Sequence, residues 1–100
     1  MKVVLKRVGV EPEVVEIEDT LEELQAAVDG YVGMHQNGMI AMLFDEDGKY
    51  KDKAPNFLLK GNVIVGDVVF CGIDQGDFVS LSDHAIQSIL RRFKVMGWYS

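Results

Sequence analysis

One hundred residues with 48 % hydrophobic and 26 % charged side chains make one globular domain, too apolar for a disordered chain and too short for two cores. Sixteen acidic against ten basic residues leave a net charge of −6, and the cations are scattered rather than gathered into the basic face that nucleic acid requires. No uncharged apolar stretch approaches the roughly 20 residues of a membrane helix, so no membrane contact is expected.

Lys2–Val8 alternates weakly and reads as a first strand; its mixture of apolar and charged residues, with no small-residue cleavage site after it, argues against a signal peptide. Val10–Glu13 turns the chain at Pro12, and Val14–Glu18 alternates again, with Val15 and Ile17 on one face and Glu16 and Glu18 on the other. Thr20-Leu21-Glu22-Glu23 fits a capping box. It opens a short helix with Leu21, Leu24 and Val28 on one face and Gly30 placed to end it in the left-handed conformation.

Tyr31–Gln36 and Met39–Phe44 flank Asn37-Gly38, the strongest hairpin signal in the chain. Asp45–Gly48 is a further turn, Lys49–Lys53 an edge strand or loop, and Phe57–Leu59 a short apolar patch. Asn62–Ile73 is a β-branched run interrupted once, where Gly66 predicts a bulge or sharp bend. Asp74–Asp77 turns into Phe78–Leu81, and Ser82-Asp83 starts a helix with Ile86, Ile89, Leu90 and Phe93 on one side.

The order β-β-α-β-β-β-β-α with hairpin connections predicts a single small α+β domain over residues 1–93, with an apolar tail over 94–100. The sheet is expected to be mainly antiparallel and curled, with two helices on one face and the other face open. The bend at Gly66 would also allow a barrel-like sheet plugged by the helices.

Catalytic patterns are missing. His35 and His84 sit beside a turn and in a first helical turn, with no cluster at metal-ligand spacing around them. Cys71 lies in the β-branched run and reads as a small core residue, and as the single cysteine it fits a reducing compartment such as the cytoplasm. Ser80, Ser82, Ser88 and Ser100 lack the glycine frame of a nucleophile elbow. Asp45–Gly48 with Asp52 does not keep calcium-loop spacing and reads as a solvated hairpin tip. The expectation is a non-enzymatic protein without cofactor or metal.

Binding is the remaining reading. Seven carboxylates lie between Glu11 and Glu23, either as a solvated face or as a negative patch for a basic protein surface. Tyr31, Met34, Met39, Met42 and Phe44 bring flexible and aromatic side chains onto adjacent strands, as core or as an adaptable binding face. A small-molecule binder, for example one that sequesters a nucleotide-type signal, would instead converge Tyr31, Tyr50, Asn56 and Phe57 on a cavity. The candidate binding residues are therefore Tyr31, Met34, Met42, Tyr50, Asn56 and Phe57. Met96, Trp98 and Tyr99 follow a helix whose apolar stripe is already used, so they form a homodimer interface or clasp the domain's own sheet edge.

The chain resembles a family of short proteins, mostly from phages and mobile elements of Gram-positive bacteria, catalogued as domain of unknown function 3846. The likeness is carried by Lys2-Val3-Val4, Glu13–Glu18 (EVVEIE), Thr20–Gln25 (TLEELQ), Asp29–Tyr31 and Gly48-Lys49. Pro55-Asn56, Ile64–Val69 (IVGDVV) and Asp77–Asp83 (DFVSLSD) complete it, and it runs to Phe93. Where relatives often place a basic residue after the Pro-Asn pair, this chain has Phe57. The resemblance implies a fold and a setting, the small accessory genes that encode inhibitors, decoys or regulators, and no established activity.

Overall fold

In the first strand, β1 (Lys2–Lys6), Val3 and Leu5 point to one side while Val4 and Lys6 point to the other, and all four are buried. A strand buried on both sides needs cover on both, and the whole architecture follows from that requirement. The computed structural model describes residues 1–96. Its further elements are β2 (Glu13–Glu16), α1 (Leu21–Val28), β3 (Val32–Asn37), β4 (Ile40–Asp45) and β5 (Pro55–Leu59). Then follow β6 (Asn62–Val65), β7 (Val68–Asp74), β8 (Asp77–Val79) and α2 (Asp83–Met96).

Six strands form the main sheet in the order β2-β1-β7-β4-β3, with β8 beside the end of β7, and β5 and β6 form a separate hairpin. Every pairing is antiparallel. The α+β class, the mainly antiparallel sheet and the order of elements are those expected, with β5 and the division of the run from Asn62 adding two strands to the six read from the sequence. The long run from Asn62 is two strands: Gly66, at φ +75°, breaks it so that β6 serves the hairpin and β7 the centre of the main sheet.

The helices do not share a face. Leu24 and Val28 of α1 pack on Val3, Leu5, Leu43 and Val69, whereas Ile86, Ile89 and Phe93 of α2 pack with Phe57 on Val4, Met42 and Val68. The expectation of two helices on one side with an open face opposite is thereby corrected. The reason lies in the central strands. VVL, AML and VVFC are continuous apolar runs, the mark of strands covered twice, rather than alternating ones. Phe93 of α2 meets Phe57 and Phe70 edge-on, with ring centroids 4.9 Å and 5.7 Å apart, while Phe57 and Phe70 lie tilted by 33° at 6.3 Å.

The local signals are mostly honoured. Thr20 Oγ1 accepts from the Glu23 N–H at 3.2 Å, and Ser82 Oγ accepts from the Ala85 N–H at 3.1 Å to cap α2. The left-handed residue ending α1 is Asp29 (φ 55°), not Gly30. Gly30 has a different duty: a Cβ there would stand 2.3 Å from Cγ of Asp45, so only glycine lets that carboxylate reach its seat. Helix α2 continues through Lys94 to Met96. Trp98 and Tyr99 lie outside the described residues.

Candidate functional site

Asparagine 56, buried after Pro55 on β5, donates from Nδ2 to the carbonyls of Lys6 (2.9 Å) and Gly66 (2.7 Å). Its Oδ1 accepts from Lys6 Nζ at 2.7 Å, and the same ammonium donates to the Arg7 carbonyl. Burial lowers the Lys6 pKa, and the nearby Asp67 carboxylate opposes that shift. The arrangement rivets the Gly66 bend to β1, a structural use for a residue expected to touch a ligand. Phe57 is equally committed, to the aromatic cluster under α2.

The other binding candidates are dispersed. Tyr31 and Tyr50 are exposed, Met34 is half-exposed and Met42 is buried. Register explains the split: His35 pairs with Met42 while Met34 pairs with Leu43, which puts the two methionines on opposite faces. Tyr31, Tyr50, Asn56 and Phe57 do not converge. Tyr50 does border a groove of about 580 Å³ between the loop after β4 and β6, with Phe44, Lys49, Asn62 and Ile64. Met96 is partly exposed at the end of α2.

Asp45 is a second buried polar centre. Its Oδ2 lies 2.9 Å from both Lys51 Nζ and Lys53 Nζ, and its Oδ1 accepts from the Asp47 N–H at 3.0 Å. Lys53 also donates to the carbonyls of Val28 and Asp29, fastening the C-terminal end of α1 to the loop after β4. Burial pushes the Asp45 carboxyl up, but hydrogen bonds from Lys53, Lys51 and Asp47 overcome it and hold the group at about 2. The lysines lie in a stretch readable only as polar loop, and no short-range signal marks their convergence. Among the described residues no group of three or more His, Cys, Asp or Glu is placed to hold a metal ion. Cys71 is fully buried, and desolvation, with Asp19 adding to it, pushes its thiol up to about 11.

The surface is most distinctive along β2 and the start of α1. Glu11, Glu16, Glu18, Asp19, Glu22 and Glu23 are exposed, with Val14 and Leu21 exposed among them. Glu13 pairs with Arg7, and Glu16 lies 3.6 Å from the amino group of Met1. The remaining five carboxylates of the band have no ion pair among the described residues.

Fold and surface together define a small α+β domain with a twice-covered antiparallel sheet and an acidic margin. The chain belongs to the family described as Domain of unknown function (DUF3846), whose family model matches residues 1–94. No curated protein and no solved structure matches it. Among the described residues no helix is long and apolar enough to cross a membrane.

Proposed function

We propose that this protein acts by binding a macromolecular partner, not by catalysis, and that the partner offers a basic protein surface to the carboxylate band of β2 and α1. The observation that carries the reading is the set of exposed carboxylates with no ion pair among the described residues, Glu11, Glu18, Asp19, Glu22 and Glu23, in the same stretch of chain as the exposed Val14 and Leu21, the latter 61 % exposed. Apolar anchors inside a charged surround are the anatomy of a protein interface, and the charge accelerates and orients encounter. The buried, high-pKa Cys71 supports binding over thiol chemistry. The family resemblance supports a cytoplasmic accessory role in a phage or mobile element, as inhibitor, decoy or regulator.

The test compares the native chain with the Glu18→Gln, Glu22→Gln, Glu23→Gln triple variant in capture from host lysate. A partner held by the native chain, lost by the variant and released by added duplex DNA is the expected outcome. Capture of the same protein by both chains refutes the reading. A second reading, a binder of nucleotide-type signals, draws on the 580 Å³ groove beside Tyr50 and Lys49. Strong thermal stabilisation by a nucleotide, with no protein captured, would put it first.

A further inference from the structure

On the face covered by α2, the packing stops short of the β3 edge. Cross-strand pairing lines up Val4, Phe70, Met42 and His35 across β1, β7, β4 and β3, so the row runs from the core out to solvent. Above its outer half, between β3–β4, the tip of the β5–β6 hairpin and α2, lies a half-open recess of about 230 Å³. Ile40, Met42, Phe70 and Ile89 form its apolar floor. A smaller recess of about 70 Å³ adjoins it toward Phe57 and Phe93. An apolar cavity of about 150 Å³ already accepts benzene, so the space suits an apolar group at least that large.

The rim carries Lys60 from the hairpin tip, Arg92 from α2 and His35 from β3. Among the described residues lining either recess there is no carboxylate, in a chain with sixteen acidic and ten basic residues. Neither Lys60 nor Arg92 has an ion pair among the described residues. Lys60 is also an odd choice for its position. With Leu59 opposite Asn62, the two loop residues are Lys60 (φ 49°) and Gly61 (φ 81°), a left-handed pair whose first place favours Asn or Asp. A lysine there serves the turn poorly and serves the recess by its charge.

We infer that this recess binds an amphipathic monocarboxylate, its apolar tail on the Met42–Phe70–Ile89 floor and its carboxylate held by Arg92 and Lys60. Arginine's planar fork matches a carboxylate, and the Lys60 ammonium adds a second cationic donor for the same head. The site is separate from the acidic band of β2 and α1, so it stands or falls independently of the partner proposed there.

Octanoate, 1-octanol and octylammonium, titrated into the full chain and followed by amide NMR shifts, share a tail and differ in head charge. The expected result is saturable octanoate binding with shifts centred on His35, Met42, Lys60, Phe70 and Ile89. It should be at least tenfold tighter than octylammonium. In the Lys60→Gln, Arg92→Gln double variant, octanoate should weaken about tenfold while octanol is unchanged. The triple glutamine variant of the acidic band should bind octanoate like the native chain. Equal affinity for octanoate and octylammonium, or no saturable shifts at these residues, overturns the inference. If the double variant loses its folded spectrum, Lys60→Asn, which suits the turn, carries the test, with about threefold weakening expected and none refuting it.

Discussion

Replacing Asp45 by asparagine tests whether one buried carboxylate ties three parts of the domain together. The side chain is 1 % exposed, with both lysine ammonium groups 2.9 Å from Oδ2. Asparagine keeps one acceptor oxygen but turns N–H groups toward an ammonium or the Asp47 N–H, leaving Lys53, only 15 % exposed, with the exposed Asp29 carboxylate at 3.8 Å as its remaining counter-charge. Lys51 is 45 % exposed and contributes little, so the loss falls mainly on Lys53. Breaking a buried pair of this type costs about 3 kcal/mol at pH 7, which lowers Tm by roughly 10–20 °C for a chain of this length. The carboxyl is displaced from the ordinary 3.8 to about 2. A depressed carboxylate contributes stability that is complete above its unfolded pKa and lost as pH falls through the folded one. By linkage the displacement is worth about 2 kcal/mol, trimmed toward about 1 kcal/mol by solvent beside Lys51. Urea unfolding followed by far-UV circular dichroism at pH 7, 4 and 2 measures both quantities. The gap between native and Asp45→Asn should be about 3 kcal/mol at pH 7 and shrink by about 1 kcal/mol between pH 4 and 2. A gap below about 1 kcal/mol at pH 7, or one that stays constant on acidification, refutes the assignment of Asp45 as the tie.

Phe93→Ala removes the ring that meets Phe57 at 4.9 Å and Phe70 at 5.7 Å, and should cost about 3–5 kcal/mol by chemical denaturation. Cys71, buried with its thiol pushed to about 11, should react with Ellman's reagent at pH 8 only as fast as the domain opens. Reaction within seconds in native buffer would contradict that burial. Lys60→Asn should stabilise the β5–β6 hairpin by roughly 0.5–1 kcal/mol, because asparagine tolerates the left-handed position better than lysine. An unchanged or lowered Tm would show that the turn is not strained.

Sequence by itself determined the elements and several of their ends. The cap at Thr20, the start at Ser82, the bend at Gly66 and the turn at Asp74–Asp77 each depend on one or two residues and their immediate backbone neighbours. The single α+β domain followed from hairpin spacing and composition. Double cover of the sheet was missed, because hairpin order pointed to one covered face; the signal for it lay in the unbroken apolar runs of β1, β4 and β7. The site candidates were not legible in the same way. Asn56 and Phe57 look like ligand contacts beside Pro55, yet folding spends one on the Lys6 and Gly66 backbone and the other on an aromatic core. Lys53 and Asp29 stand 24 positions apart in the chain, and Lys60 and Arg92 are further separated still. Dihedral preference and capping act within a turn of chain, whereas burial of a charge and the grouping of cations around a recess depend on which distant segments pack together. Tertiary structure alone decided those.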